Sequence, residues 1–400
     1  EHAFLGHAER GDRRGSAGAR RDRELTGSSR RHMQGLQERV GSNRACYHES
    51  KLAEHGVGLK HKAPVLIIGG TRFSGAYLWK ELVDRGHQVT LYNRGKTSPK
   101  PLPGESESDY KRRLETTKYL MGDRKDPEQI KNLVDPSLYT YVYDMNGREA
   151  SDTAPLADLF TTSRSELKSF IYMSSAGVYK KSSEMPHMEH DAVDPKSRHK
   201  GKLETEAYLR SLGGNFNWCS IRPTYICGPQ NYNVVEQYFL ERADAKRGFI
   251  VPGHGEHLTG FGHVKDLAVA MANVIGREKK TNGQVYNIQN TNAITFDGAC
   301  RVAAEVVGTN PDDVEIVHYN PKEFKFPEGK KAFPMRPQHF FTNVDKARRD
   351  LEWEPMFNSC REIFQDSYTN DFLLKKAAGK LDNDFTCDEI VFSQRKPVTI

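Results

Sequence analysis

Residues 64–93 constrain the fold of this chain more than any other segment. Val65–Ile68 is a short, continuous apolar run, which is typical of a strand buried on both faces of a parallel sheet. The glycine-rich turn Gly69–Gly75 follows, then a helical pattern that ends at Gly86, and then a second strand pattern, Gln88–Asn93. A strand, a glycine turn, a helix and a strand within about thirty residues form a βαβ unit.

The same alternation continues downstream. Apolar runs predict strands at 139–143, 169–173 and 218–221, and helical patterns are found at 126–134, 154–162 and 201–211. The insert Lys96–Lys118 is predicted to be a long loop. Alternating strands and helices indicate an α/β fold with a doubly wound parallel sheet, the Rossmann arrangement.

Three segments divide the chain. We assign residues 63–232, rejoined by 258–275, to the Rossmann domain and residues 233–400 to a smaller C-terminal lobe. Residues 1–62 show no sustained period, and we predict a flexible basic tail there. Their Arg and Ser content is typical of an organelle transit peptide, whereas their eight acidic residues argue against one. A targeting segment and a plain tail or misread terminus therefore both stay open.

The net charge of +6 is concentrated in that tail. Residues 1–62 hold 13 Lys and Arg and 8 Asp and Glu, while the other 338 residues hold 46 and 45. The body is nearly neutral, so nucleic-acid binding would have to come from local clusters. The six cysteines form no C-x-x-C pair, which excludes the common zinc spacings and favours free thiols. No run of 18 apolar residues is present, so we expect no membrane span.

The glycine turn is typical of dinucleotide-binding sites, with one departure. Gly69 and Gly75 stand where the first and third glycines of such a turn are needed, but Arg72 occupies the middle position, where a side chain would crowd a pyrophosphate. Arg94 and Lys96 end the second strand, where they favour a 2′-phosphate, hence NADP, or another phosphate; a solvated strand end is the alternative. The candidate cofactor-binding residues are Gly69, Gly70, Thr71, Arg72, Gly75, Arg94, Asp123 and Asn146.

Three stretches resemble signatures of the extended short-chain dehydrogenases and nucleotide-sugar epimerases: 170–179, 220–229 and 262–268. This resemblance implies a catalytic Tyr four residues before a Lys. The Lys aligns with Lys202, which places Arg198 at the Tyr position, and arginine cannot replace a titrating phenol. We therefore predict that hydride transfer is lost. Ser174, Ser175 and Arg94 keep an NADP-dependent reductase or epimerase open as an alternative.

A basic cluster takes the place of the missing tyrosine. Its members lie within seven residues, at the helix start where this superfamily binds substrate, and we predict that they bind RNA or another phosphate. A helix start with its charges in water is the alternative. The cluster consists of Lys196, Arg198, His199, Lys200 and Lys202.

Several strings narrow the resemblance further. Residues 69–75, 102–106, 191–206, 318–324 and 330–341 are similar to those of the b-type chloroplast stem-loop-binding proteins of 41 kDa. That resemblance implies a plastid stromal protein that binds stem-loop RNA and cleaves it as an endoribonuclease. It also implies roles in ribosomal RNA maturation, ribosome biogenesis and transcript metabolism. Pre-ribosomal particles and oligomers, with itself or an a-type paralogue, would be its partners.

Two further groups of residues are candidates for RNA chemistry. The segment Lys330–Phe341 interleaves Lys330, Lys331, Arg336 and His339 with Phe333, Phe340 and Phe341, as expected of an RNA surface; burial of the phenylalanines in a core is the alternative. Asp123, Asp126 and Asp144 follow predicted strand ends and are the candidate ligands of a divalent cation such as Mg²⁺. The catalytic residues stay unassigned, and a non-catalytic scaffold is a third possible function.

Overall fold

The computed structural model describes residues 62–394 except residues 163 and 215. The predicted tail, residues 1–62, lies outside this range apart from its last residue.

A seven-stranded parallel sheet forms the centre of the body. Its strands are β1 (Pro64–Ile68), β2 (Gln88–Asn93), β3 (Lys118–Met121), β4 (Tyr141–Asp144), β5 (Ser169–Met173), β6 (Trp218–Pro223) and β10 (Gln284–Ile288). The spatial order is β10-β6-β5-β4-β1-β2-β3, so β1 pairs with both β2 and β4. The order of the strands reverses at β1, and in such sheets the binding crevice opens at the carboxyl ends of the strands beside this point. The predicted α/β, doubly wound sheet is confirmed.

Helices connect the strands and cover both faces of the sheet. The helices that precede β10 are α1 (Phe73–Asp84), α2 (Glu107–Glu115), α3 (Pro127–Leu133), α4 (Ala150–Leu159), α5 (Lys200–Ser211), α6 (Glu236–Asp244), α7 (Val264–Ala272) and α8 (Glu278–Thr281). Those that follow it are α9 (Phe296–Val307), α10 (Asp345–Asp350), α11 (Cys360–Ser367), α12 (Leu373–Ala377) and α13 (Thr386–Ser393). Short 3₁₀ turns occupy Pro136–Leu138, Ala176–Val178 and Pro311–Asp313, and a π turn occupies Tyr368–Phe372.

The two faces of the sheet have separate cores because successive side chains of a strand point to opposite faces. Val65 and Ile67 of β1 belong to a cluster that includes residues of α1 and α7. Leu66 and Ile68 belong to a second cluster with residues of α3, α4 and α5. All four side chains are at most 2% exposed, which explains why the sequence shows a continuous apolar run rather than alternation.

The body also contains two smaller sheets and an aromatic core. β7 (Tyr225–Cys227), β9 (Leu258–His263) and β11 (Ala293–Thr295) form one sheet, and β8 (Phe249–Pro252) pairs with β12 (Ile316–Tyr319). This aromatic core contains seven buried phenylalanines: Phe239, Phe249, Phe261, Phe296, Phe333, Phe364 and Phe372. The strand β10, although it falls inside the predicted lobe 233–400, joins the central sheet beside β6. A single boundary at residue 232 therefore does not separate the residues of the central sheet from the rest, and the predicted domain division stays a proposal.

The predicted loop Lys96–Lys118 was wrong in one respect, since it contains the helix α2. Ser106 caps this helix by accepting a hydrogen bond from the Asp109 N–H, at 3.0 Å. Arg113 of α2 is buried, pairs with Glu105 at 2.6 Å and stacks on the ring of Trp79 at 4.1 Å. Most of the helix surface is polar, and its contacts with the core come from Leu114 and the buried Arg113, so hydrophobic periodicity gave no signal for it.

Five cysteines fall within the described residues, and all five are buried and free of disulfides. No helix between residues 62 and 394 is long and apolar enough to cross a lipid bilayer.

Candidate functional site

A cleft of about 1150 Å³ lies at the carboxyl ends of the central strands. The sheet and the glycine turn form one side, and residues 232–242 and 329–340 contribute to its lining. Eleven Lys and Arg side chains line it, against five Asp and Glu. The cations are Arg72, Arg94, Lys96, Arg124, Lys125, Arg148, Arg198, Arg242, Lys330, Lys331 and Arg336. Because the body as a whole is nearly neutral, this is a local concentration of positive charge.

The glycine turn has the backbone that a pyrophosphate requires. Gly69 has a φ of +85°, which favours glycine, and a Cβ at Gly75 would lie 2.4 Å from the Gly69 carbonyl oxygen. Thr71 lines the cleft, whereas Gly70 packs against Leu91 beneath it. The turn itself therefore fits a dinucleotide phosphate.

The middle position of the turn does not fit as well. Arg72 is exposed, and its guanidinium lies 4.3 Å from the centre of the Tyr232 ring across the cleft. At the end of β2, Arg94 and Lys96 are exposed and form no ion pair among the described residues. In NAD-binding sites a carboxylate at this strand end holds the ribose hydroxyls. Here Asn93 ends the strand instead, and its side chain accepts a hydrogen bond from the Gly95 N–H.

Arg124 is a cleft residue that the sequence analysis missed. Its guanidinium donates to both carboxylate oxygens of Asp144, at 2.6 and 2.7 Å, and to the side-chain oxygen of Asn146 at 2.5 Å. Asp144 is fully buried, and Arg124 and Thr153 hold its pKa down at about 2 against the effect of burial. Little in the sequence indicated this pair, because Arg124 and Asp144 are twenty residues apart and lie at the ends of different strands.

The predicted divalent-cation ligands do not form a site. Asp144 is committed to Arg124, Asp126 caps α3 by accepting from the Glu128 and Gln129 N–H groups, and Asp123 accepts from the Lys125 N–H. Among the described residues, no three His, Cys, Asp or Glu side chains lie together so that they could hold a metal ion. These donors do not fit Mg²⁺, and we derive no chemical step through a metal.

The basic cluster of α5 is divided by the fold. Lys202 is not at a solvent-facing helix start, as the sequence suggested. Its Nζ donates to the carbonyl oxygens of Gly147 and Met173, both at 2.6 Å, and burial lowers its pKa to about 8. Lys202 therefore lies on the face of α5 that is turned towards the sheet. Lys196 and Lys200 are exposed but do not line the cleft, whereas Arg198 and His199 do.

Arg198 and His199 meet Arg336 at the mouth of the cleft. The Arg198 Nε donates to the His199 Nε2 at 3.0 Å, and Arg336 donates to the Gly177 carbonyl oxygen at 2.7 Å. A Cβ at Gly177 would lie 2.5 Å from the His199 ring and 3.0 Å from the Arg336 guanidinium. Burial, with Arg198 nearby, lowers the pKa of Arg336. The fold thus joins two basic segments that are more than a hundred residues apart.

The rest of the segment 330–341 has mixed roles. Phe333 and Phe340 are buried, at 8% and 3% exposure, so the core alternative is correct for these two rings. Lys330 pairs with Asp384 at 2.6 Å, and Lys331 lines the cleft. His339 lies outside the cleft lining and accepts a hydrogen bond from the Leu258 N–H, and Phe341 is half-buried. Arg336 stacks on Phe340 at 4.9 Å, so a buried ring positions an accessible cation.

His199 gives this site a characteristic pH dependence. Burial, with Arg198 and Arg336 nearby, lowers its pKa to about 4, so the imidazole is neutral near pH 7 and can accept from Arg198. An unfolded histidine binds its proton near pH 6.5. The unfolded state therefore gains a proton first as the pH falls, and stability is lost between about pH 6.5 and pH 4.

We expect the free energy of unfolding of His199→Gln to fall less than that of the unsubstituted protein between pH 7.5 and pH 5. Urea denaturation at the two pH values measures this difference. His190→Gln, at a histidine whose side chain is 82% exposed, is the matched control and should behave like the unsubstituted protein. Equal pH dependence in all three proteins would contradict the burial of a neutral His199.

Comparison with known proteins identifies the family. The family described as "NAD dependent epimerase/dehydratase family" matches residues 65–288. The "Chloroplast stem-loop binding protein of 41 kDa b, chloroplastic" of Arabidopsis thaliana is 47% identical over 340 residues, which are 85% of this chain and 86% of that protein. The chain belongs to the family of this chloroplast protein. The resemblance seen in the sequence and the predicted chloroplast location are confirmed.

The fold of this chloroplast stem-loop binding family is shared with sugar-nucleotide enzymes. UDP-glucose 4-epimerase from Thermotoga maritima superposes with a TM-score of 0.60 at 19% identity, covering 79% of this chain and 99% of that chain. UDP-glucuronic acid 4-epimerase from Bacillus cereus, solved with NAD, gives 0.59 at 16% identity and covers 78% and 99%. At these identities the likeness shows the fold alone. The extended short-chain dehydrogenase architecture predicted from the sequence is confirmed.

Proposed function

We propose that this protein binds stem-loop RNA in the chloroplast and that the basic cleft is its RNA site. The observation that carries the proposal is the set of cleft cations without a carboxylate partner. Arg124, Lys125, Arg242 and Lys330 are paired with Asp144, Asp152, Asp388 and Asp384. Within the described residues the other seven form no ion pair: Arg72, Arg94, Lys96, Arg148, Arg198, Lys331 and Arg336.

Unpaired cations gathered in one cleft repel one another, and an anionic ligand relieves that repulsion. Arg336 shows this repulsion, since burial and, to a smaller extent, the nearby Arg198 lower its pKa. The RNA backbone supplies phosphates at regular spacing, and A-form duplexes are recognised through phosphates and 2′-hydroxyls. The name of the Arabidopsis relative, a stem-loop binding protein, supports the same ligand.

We further propose that the protein is an endoribonuclease that acts in ribosomal RNA maturation and transcript metabolism, associated with pre-ribosomal particles and in oligomers. The cleft is the place where RNA would be held for cleavage. An end-labelled stem-loop incubated with the full chain should yield internal cleavage products. The double variant Arg198→Gln/Arg336→Gln is purified in the same way. With the protein concentration below the dissociation constant for the RNA, this variant should yield far fewer cleavage products. Equal cleavage by both proteins would assign the activity to a contaminant or another surface.

The geometry opposes the alternative of an active reductase or epimerase. By its spacing from Lys202, Arg198 takes the place of the acid–base tyrosine, and Lys202 donates to two backbone carbonyls. We expect no oxidation or reduction of a nicotinamide with any nucleotide-sugar. If a dinucleotide binds, Arg94 and Lys96 favour NADP over NAD, because a 2′-phosphate gains charge-assisted hydrogen bonds worth about 1.5–3 kcal/mol.

Calorimetric titration with both dinucleotides tests this assignment. NADP should bind at least about tenfold more tightly than NAD, and Arg94→Gln should remove most of the difference. Tighter binding of NAD, or turnover of a nucleotide-sugar that disappears when a cleft residue is substituted, would contradict the assignment and restore the reductase alternative.

A further inference from the structure

Tyr232 is an exposed aromatic ring at the edge of the basic cleft. Its side chain is 58% exposed although it lines the cleft, while most aromatic rings of the body are buried. The Arg72 guanidinium covers one face of the ring at 4.3 Å. The buried Phe73 packs edge-on, with the ring centres 6.1 Å apart and the ring planes at 76°. The contacts of Tyr232 leave much of the ring accessible to solvent.

The loop that carries Tyr232 is firmly anchored on both sides. The amide of Asn231, which is only 7% exposed, donates to the Ile226 carbonyl oxygen and to Glu236 at 3.2 and 2.9 Å. The Asn233 N–H donates back to the Asn231 side chain at 2.9 Å, and Glu236 also accepts from the Gly228 N–H. The backbone on each side of the ring is thus fixed by buried and part-buried hydrogen bonds, so little ordering is needed when a flat ligand stacks on the ring.

Arg72 adds a phosphate-binding group to this ring. It has no carboxylate partner among the described residues, and it leads directly into α1 at the glycine turn. Stacking on Tyr232 uses the flat face of the guanidinium and leaves its N–H groups free at the edge. An aromatic face and a cation side by side are the two groups that bind a nucleotide, one through the base and the other through the phosphate.

We propose that Tyr232 and Arg72 form a binding site for an unpaired nucleotide of the RNA, with the base stacked on Tyr232 and the phosphate held by Arg72. The inference rests on the proposed RNA binding and names the part of the RNA that this site takes. In a duplex each base is already stacked on both sides, whereas a loop base has a free face. The site therefore selects the loop of a stem-loop, and the other cations of the cleft hold the stem.

The test uses the full chain and two RNAs that share the same stem. One is a stem-loop with 2-aminopurine in the loop, and the other is the blunt duplex. Tyr232→Leu should weaken stem-loop binding about tenfold, abolish the fluorescence change of the loop base and leave duplex binding unchanged. Tyr232→Phe should behave like the unsubstituted protein, because it keeps the aromatic face. Tyr119→Leu, at a 43% exposed tyrosine outside the cleft, is the matched control and should change nothing.

Two results would overturn the loop assignment while leaving RNA binding intact. One is an unchanged affinity and fluorescence response in Tyr232→Leu, and the other is an equal loss for the stem-loop and the duplex. Failure of the unsubstituted protein to bind either RNA would instead overturn the proposed function. A thermal melt of Tyr232→Leu shows whether the variant is folded. If it is not, Arg72→Gln tests the same site, because it should weaken stem-loop binding and leave duplex binding unchanged.

Discussion

Replacing Arg94, Arg148, Arg198 and Arg336 with glutamine is expected to weaken stem-loop RNA binding more than about a hundredfold at 0.1 M salt. These four cations line the cleft and form no ion pair among the described residues. If each one neutralises a phosphate, loss of the four contacts makes the log–log salt slope of binding shallower by about three. Filter binding or fluorescence anisotropy over a series of salt concentrations measures both quantities.

A matched control separates the cleft from the overall charge of the protein. Substitution of four exposed cations elsewhere changes the net charge equally, and its salt slope should stay close to that of the unsubstituted protein. The control positions are Lys111, Arg164, Lys279 and Arg301, none of which lines the cleft. The full chain is used throughout, so the basic residues 1–62 contribute equally to every variant. Equal losses in the two quadruple variants would show that binding follows net charge rather than this cleft.

Replacing Arg124 with methionine is expected to lower the free energy of unfolding by about 3–5 kcal/mol. Asp144 has no exposed surface, and Arg124 is its only ion-pair partner among the described residues. Without the guanidinium, hydrogen bonds from Thr153 and from the Asn146 and Gly147 N–H groups would be left to hold a buried charge. Urea denaturation at pH 7 measures the loss.

The pH dependence of the same variant gives a second check. The folded pKa of Asp144 is held at about 2, below the unfolded value near 3.9, so the pair stabilises the fold above about pH 4 and loses this contribution as the pH falls towards 2. The difference between the two proteins should therefore shrink in acid. The double variant Arg124→Met/Asp144→Asn removes the buried charge and should recover much of the stability at pH 7. A loss below about 1 kcal/mol in the single variant would contradict the role assigned to the pair.

The sequence was informative wherever the signal is local. The apolar run of β1, the glycine turn and the start of α5 are each set by a few neighbouring residues, and the structure places all three where the pattern predicted them. The helices α3 and α4 begin or end a few residues away from their predicted limits, because helix ends depend on caps that periodicity does not record.

The candidate site was less predictable, because its parts are distant in the sequence. Arg336 comes close to Arg198 only because residues 329–340 line the same cleft as the start of α5. Arg124 and Asp144 meet although they follow different strands. In the sequence, Lys202 belongs to a cluster of charged residues. Its Nζ in fact donates to the carbonyl oxygens of Gly147 and Met173, and residue spacing alone could not predict these contacts. Tyr232 had no local signal at all, since a single tyrosine after a Gly-Pro turn is most often part of a core.

Photo-cross-linking of a bound stem-loop that contains 4-thiouridine tests the proposed RNA site most directly. Cross-linked peptides of the full chain are then identified by mass spectrometry, with the label placed either in the loop or in the stem. We predict that the loop label reaches the peptide with Tyr232 and the stem label reaches the peptides with Arg198 and Arg336. Cross-links confined to residues 1–62, or to surfaces outside the cleft, would contradict the assignment of RNA binding to this site.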